Sequence, residues 1–283
     1  VGAITIALRM KGEAVEEMHG FLAAACERVH ALRRPQGRIR PVVIPTYNGA
    51  RKGANLTPLL ALLLQRFGVP VLLHGLIEGY GRVTTAQILR EYAATTGGAL
   101  APCTTHQQAQ QAMDEHGLAF VPLPVLSPGL NEQLALRARL GLRNSAHSLV
   151  KMLDPFLGEG LVLAAATHPD YIETMRGVMG LAGQRALLLR GNEGEPFANP
   201  RRRPRIEFLQ EGGSEILFEA EHDSLKTLPH LPETCDAKAT VSWMRSVLGG
   251  EYPLPQPIAN QLACCLYASG YADDFNHAKA IVA

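Results

Sequence analysis

Hydrophobic positions change their period along the first third of the chain. Over residues 14–31, Val15, Met18, Leu22, Cys26 and Val29 recur at three- and four-residue intervals, which is the apolar stripe of a helix. A shorter helical pattern over residues 3–10 is set off from it by Gly12. A stretch rich in Pro, Gly and Arg, residues 33–41, leads into the unbroken apolar run 42–44, which predicts a strand buried on both faces. From there predicted helices over 59–67, 85–94, 106–116, 130–140, 145–153 and 168–179 are interleaved with apolar strands over 69–73, 118–122, 161–165 and 186–189. Near-continuous apolar strands between helices predict the α/β class, with a central, mostly parallel sheet flanked by helices.

Beyond residue 190 the alternation breaks. Residues 205–210 and 215–219, separated by Gly212-Gly213, read as a hairpin, and helices over 237–248, 257–269 and 273–282 close the chain. We divide it into a small N-terminal helical domain, residues 1–34, completed by helices within 129–153, and a larger α/β domain, residues 41–283. The first residue is Val1, inside a helical pattern, so we expect further residues upstream. The longest apolar runs, such as 59–64, are core-sized, so we expect no membrane association. Cys26, Cys103, Cys235, Cys264 and Cys265 are odd in number and contain no Cys-x-x-Cys, so we read them as reduced thiols of a cytoplasmic protein.

A net charge of +1 conceals a segregation of charge. No acid occurs from Arg28 to Ile77, a window that holds Arg33, Arg34, Arg38, Arg40, Arg51, Lys52 and Arg66. A second acid-free window, 133–153, holds Arg137, Arg139, Arg143 and Lys151, and a third, 196–206, holds Arg201, Arg202, Arg203 and Arg205. These windows hold more than half of the 27 basic residues, while residues 207–236 are acidic with a single Lys. Such segregation makes a basic face on a nearly neutral protein; scattered, solvated arginines are the alternative.

The segment 44–58, Ile-Pro-Thr-Tyr-Asn-Gly-Ala-Arg-Lys-Gly-Ala-Asn-Leu-Thr-Pro, runs from strand through a small-residue loop to a helix N-terminus. That geometry offers free N–H groups and a positive dipole end to a phosphate. Neither a Gly-x-Gly-x-x-Gly after a strand nor a Walker spacing occurs, which argues against ordinary dinucleotide and nucleoside-triphosphate sites. His74-Gly75 ends the second predicted strand, where open α/β sheets bind ligands; a satisfied structural histidine is the competing reading. Tyr47 and Tyr80 are open to base stacking or to ordinary packing.

Several strings together resemble the anthranilate phosphoribosyltransferase family. They are Ala7-Leu8-Arg9-Met10-Lys11-Gly12-Glu13, Asn55-Leu56-Thr57, His74-Gly75, Arg137, Leu140-Gly141-Leu142-Arg143 and Gly191, in that family's order. The resemblance runs to about residue 200. It implies a small helical domain, a larger α/β domain and a homodimer joined through the helical domains. It also implies a phosphate-binding loop at Thr46, Asn48, Gly49, Asn55, Thr57, His74 and Gly75, and a carboxylate contact at Arg137.

Departures fall on the residues that carry the family's chemistry. Its Gly-Thr-Gly-Gly-Asp loop reads Pro45-Thr46-Tyr47-Asn48-Gly49 here, with a ring at Tyr47 and no donor at Pro45. Its Lys-His-Gly-Asn-Arg reads Leu73-His74-Gly75-Leu76-Ile77, and its magnesium-holding Asp-Glu pair reduces to Glu195 beside Pro196, a weak metal candidate. We assign no catalytic residue with confidence and expect no cofactor; Mg²⁺ enters only if the chain is a pentosyl transferase acting on phosphoribosyl pyrophosphate with an altered acceptor.

One branch of the family is matched more fully. Ile44-Pro45 with Tyr47 to Lys52 and Ala54 to Pro58, Arg143-Asn144-Ser145-Ala146-His147, and Glu193-Gly194-Glu195 with Ala198-Asn199-Pro200 resemble the YbiB-type proteins. That branch implies a homodimer that binds DNA or RNA with little sequence preference. Arg51, Lys52, Arg143, Lys151, Arg201, Arg202, Arg203 and Arg205 are the phosphate-contact candidates.

Overall fold

The computed structural model describes residues 1–97, 100–211, 213–223 and 229–283, so Gly212 of the predicted hairpin lies outside the described residues. The chain begins with α1 (Gly2–Lys11), α2 (Val15–Cys26), β1 (Val42–Thr46), α3 (Thr57–Arg66), β2 (Val71–Gly75), α4 (Thr85–Thr96) and α5 (His106–His116). It continues through β3 (Leu118–Pro122), α6 (Leu123–Leu126), α7 (Pro128–Leu140), α8 (Ala146–Leu149), β4 (Leu161–Ala166), α9 (Pro169–Leu181) and β5 (Ala186–Arg190). The last elements are β6 (Ile206–Gln210), β7 (Gly213–Phe218), α10 (Ala237–Leu248), α11 (Gln256–Ala268) and α12 (Phe275–Val282).

One seven-stranded sheet carries the order β3-β2-β1-β4-β5-β6-β7. β1 to β5 pair in parallel, and β6 and β7 append an antiparallel edge. This is the predicted α/β architecture. Strand side chains alternate between two cores: Val42, Ile44 and Leu73 pack toward α3, α10 and α11, while Val43, Leu72 and Val162 pack toward α2, α6 and α9. Burial on both faces is what the unbroken apolar runs encode.

Some boundaries differ from the sequence expectation, each for a local reason. The strand predicted at 69–73 starts at Val71 because Val69 N–H caps α3 at Leu64 O and Pro70 has no donor. The helix predicted to 31 stops at Cys26; Val29 and Leu32 stay buried, but in a segment whose N–H groups from His30 and Leu32 reach Leu126 O and Pro155 O. Only Ala146–Leu149 of the 145–153 prediction is α-helix, followed by turn bonds from Lys151 to Ser148 and from Met152 to Leu149. Against α9, Gly177 leaves room for Val15 of α2, where a Cβ would stand 2.9 Å from Val15 Cγ1.

Strand order reverses at β1, which has β2 on one side and β4 on the other. Pairing of β1 with β2 runs the length of the strand, whereas pairing with β4 covers only Val42 and Val43. Past that point Pro45 has no N–H to offer, and the C-terminal ends of β1 and β4 part. In open α/β sheets, ligands bind in the crevice at such a switch point. Among the described residues no helix is long and apolar enough to cross a membrane.

Candidate functional site

Donors of the loop after β1 converge on a carboxyl group of the chain itself. Glu195, fully buried, is brought in by the segment after β5. Its Oε1 accepts the backbone N–H of Asn48 at 2.7 Å and of Gly49 at 2.9 Å. Its Oε2 accepts from the Thr46 hydroxyl, from Thr57 Oγ1 at 3.4 Å and from Thr85 Oγ1 at 3.5 Å, with Asn55 Nδ2 also at 3.5 Å. Thr57 and Thr85 are the first residues of α3 and α4, so the carboxylate takes a side-chain hydroxyl from the start of each of two helices. The sequence set Thr46, Asn48, Gly49, Asn55, Thr57 and Glu195 is therefore one constellation.

A second carboxylate caps the outer half of the same loop. Glu193 accepts Lys52 N–H at 2.9 Å and Arg51 N–H at 3.2 Å, and pairs with Arg82 at 3.4 Å. The side chains of Arg51 and Lys52 remain exposed. Between the two carboxylates, Asn48 gives its amide to Gly194 O at 2.7 Å and accepts Arg143 Nη2 at 2.8 Å.

His74, named for its place at the strand end, is inside the protein rather than at the crevice surface. Its Nδ1 lies 2.7 Å from the Tyr47 hydroxyl, its Nε2 has no hydrogen-bond partner, and burial pushes its pKa down to about 3. Tyr47 is buried against it and so does not offer its ring to a base. Gly75 is required by contact: a Cβ there would stand 1.8 Å from Thr46 O.

Beyond the filled loop, a cavity of about 200 Å³ opens between α2, α8 and α9, lined among others by Arg143, His147, Lys151, Thr167 and Glu193. Lys151 Nζ donates to Ala165 O at 3.1 Å and Gly194 O at 3.0 Å, and burial brings its pKa down to about 8. Burial first, then Arg143, lowers His147 to about 4, so its imidazole is neutral. Arg143 is itself held below its usual range by burial and by the neighbouring charges of Arg137 and Arg82. Arg137 stacks over the exposed Tyr80 ring, 5.0 Å from its centroid.

Thr167 and Glu193 also line a neighbouring groove of about 580 Å³, whose walls carry Arg176, Arg190, Arg202, Arg203 and Arg205. Asn199 Oδ1 fixes this arginine loop by accepting Arg201 N–H at 2.9 Å. Arg203 pairs with Glu221 at 3.3 Å and lies over Phe218, and Arg205 reaches Glu207 at 3.8 Å, whereas Arg201 and Arg202 are exposed. The second and third basic windows thus meet along one side of the crevice.

The first basic window divides. Arg51 and Lys52 lie at the C-terminal edge of the sheet, but residues 33–40 precede β1 and lie at the opposite edge. There Arg33 pairs with Asp114, Arg34 with Glu159 and Arg38 with Asp273. Sequence reading missed Arg82, Thr85 and Glu193 as members of the site. Glu193 had a signal: with Glu195 it is one of only two acids between Arg190 and Ile206, beside a loop of free donors. Arg82 and Thr85 carry none, because both act across the fold.

No protein-family profile matches the chain. The chain is 43% identical over 273 residues to the uncharacterized protein YbiB of Escherichia coli (strain K12), covering 96% of this chain and 83% of that one. Anthranilate phosphoribosyltransferase of Moorella thermoacetica is 26% identical over 288 residues, covering 99% and 82%. Among solved structures, anthranilate phosphoribosyltransferase from Thermus thermophilus superposes with a TM-score of 0.73 at 20% identity, covering 99% of this chain and 83% of that one. The enzyme from Saccharomyces cerevisiae in complex with PRPP and Mg gives 0.72 at 12% identity, covering 99% and 78%.

Proposed function

The chain belongs to the YbiB family, built on the fold of the anthranilate phosphoribosyltransferases, and from that premise we propose that it binds nucleic acid through the phosphate backbone with little sequence preference. The observation that carries the reading is the junction of the Arg143–Lys151 cavity with the arginine groove through Thr167 and Glu193. The groove's walls also carry Glu173, Glu207 and Glu221, paired with Arg176, Arg203 and Arg205, and two adjoining recesses lined by cations in this way suit a charged chain better than a small ligand. Arg51, Lys52, Arg201 and Arg202 supply exposed cations along the edge; Arg143, Lys151, Arg203 and Arg205 line the recesses. Contacts of this kind fix position and affinity, and base-edge readers are what would add specificity.

The transferase alternative needs a pyrophosphate seat and Mg²⁺. Glu195 sits where the seat's donors converge, and both its oxygens are taken by N–H and hydroxyl groups. Among the described residues no group of three or more His, Cys, Asp or Glu stands together to hold a metal. The donor set does not fit the hydrated, carboxylate-held Mg²⁺ of a phosphoribosyl site.

Exposed Ile4 and Met10 on α1, with Phe21 on α2, support pairing of two copies through the helical domain. A homodimer doubles the basic track. Fluorescence titration with single-stranded DNA and RNA oligonucleotides of mixed sequence tests the reading: binding should be similar across sequences and weaken steeply with salt. Calorimetry with phosphoribosyl pyrophosphate and Mg²⁺ tests the alternative, and micromolar binding would favour it.

A further inference from the structure

We propose that the loop from Thr46 to Lys52 is an anion receptor whose resident ligand is the chain's own carboxylate pair, Glu195 in the buried seat and Glu193 at the rim, which closes the switch point to free phosphate and pyrophosphate. Four backbone N–H groups of the loop, from Asn48, Gly49, Arg51 and Lys52, all end on these two side chains. In the buried seat they are joined by three threonine hydroxyls and the Asn55 amide, from elements remote in sequence. Glu195 is thus held by neutral donors, two of them successive backbone N–H groups, the way proteins hold a bound oxyanion. Lys151, the nearby cation, is turned to the carbonyls of Ala165 and Gly194 instead.

The strap that delivers the carboxylates is fixed, so the seat is closed in the resting protein. Gln261 of α11, itself buried, donates to Pro196 O at 2.9 Å and accepts Ala198 N–H at 2.7 Å. Asn192 N–H reaches Phe197 O at 3.1 Å, and Glu195 N–H returns to Asn192 O at 3.0 Å. Two contacts need glycine. A Cβ at Gly191 would stand 2.2 Å from Glu195 O, and one at Gly194, whose φ is 88°, would stand 2.1 Å from Asn48 Nδ2. Glu193 adopts a positive φ of 53°, which a non-glycine residue takes up only when its surroundings enforce it.

The consequence is selectivity by exclusion. An open seat for a single phosphate beside a basic groove would fill with free phosphates and nucleotides, whereas a filled one leaves only the exposed cations, which favour a polymer. That purpose rests on the nucleic-acid reading; the receptor itself does not.

The test uses the full chain as wild type, Glu195→Ala, Glu195→Gln and Glu193→Ala, with inorganic phosphate or pyrophosphate compared against chloride at matched ionic strength. Glu195→Ala should melt below wild type in chloride, regain several degrees in phosphate, and bind pyrophosphate at least about tenfold more tightly than wild type by calorimetry. Glu193→Ala should show a smaller gain. Glu195→Gln keeps the seat filled and should show none. If Glu195→Ala folds only when phosphate is present during refolding, the same conclusion follows. The proposal is overturned if Glu195→Ala melts alike in phosphate and chloride, if it fails to fold in both, or if wild type binds pyrophosphate as tightly as the variant. A protein with no affinity for nucleic acid would leave all of these outcomes unchanged.

Discussion

The Tyr47 hydroxyl and His74 Nδ1 stand 2.7 Å apart inside the protein, beneath the loop that holds Glu195. Burial keeps this imidazole neutral, with a pKa near 3 against an ordinary 6.5. As pH falls from 6.5 toward about 3, the unfolded chain binds a proton that the folded chain refuses. The group's contribution is therefore complete above pH 6.5 and is lost on acidification, by up to about 1.4 kcal/mol per pH unit. Urea unfolding at pH 7 and pH 5 should show wild type losing more stability than the paired replacement Tyr47→Phe with His74→Leu. Equal losses would contradict the assignment.

Gly75 and Thr46 share a closest approach that admits no side chain, since a Cβ at Gly75 would stand 1.8 Å from a backbone oxygen. Gly75→Ala must push β1 and β2 apart at the rim of the crevice. We expect a loss on the order of 3 kcal/mol in chemical denaturation, at the upper end of overpacking effects. A change below about 0.5 kcal/mol would mean the strand ends are free to shift.

The sheet, its parallel pairing and the crevice at the end of β1 were legible because they rest on local patterns. The runs around Val42, Val71, Leu161 and Leu187 are apolar without alternation, as the strands of a sheet buried on both faces are. The cluster of donors from Thr46 to Thr57 was legible for the same reason, since it follows from strand, small residues and helix start. Its occupant was not. Glu195 meets Asn48 across 147 positions of sequence, and no period or spacing connects them. Taken alone, Glu195 reads as the remnant of a metal pair. The arginine windows had a similar fate: Arg202, Arg203 and Arg205 line the groove, but Arg33, Arg34 and Arg38, alike in composition, are placed by topology at the other edge beside acids.

Lys151 lines the cavity with a pKa lowered to about 8, so its charge is lost within an accessible range. Nucleic-acid affinity should therefore fall between pH 7 and pH 9 by the equivalent of about one phosphate contact. Because the folded chain binds this proton less well, stability should rise, not fall, as pH climbs from 8 toward 10.5. Lys151→Met should remove the pH dependence of binding in this range. A pH-independent wild type would place Lys151 outside the interface.

Glu193 puts a negative charge where the cavity and the arginine groove join, paired with Arg82. Glu193→Gln keeps an acceptor for the Arg51 and Lys52 N–H groups and frees Arg82. Affinity for a single-stranded oligonucleotide should rise roughly threefold to tenfold at low salt, and the gain should shrink as salt screens it. A loss of affinity would indicate that the carboxylate orders the loop for binding.

The central claim is that the basic side of the switch point is a phosphate-backbone interface, and its most direct measurement is the slope of log affinity against log salt for the same oligonucleotide. Wild type should give a slope on the order of −4 or steeper, and Arg201→Glu with Arg202→Glu should flatten it by about one to two units while thermal stability stays within about 0.5 kcal/mol. A slope near zero for wild type, or an unchanged slope in the charge-reversed protein, would contradict the account.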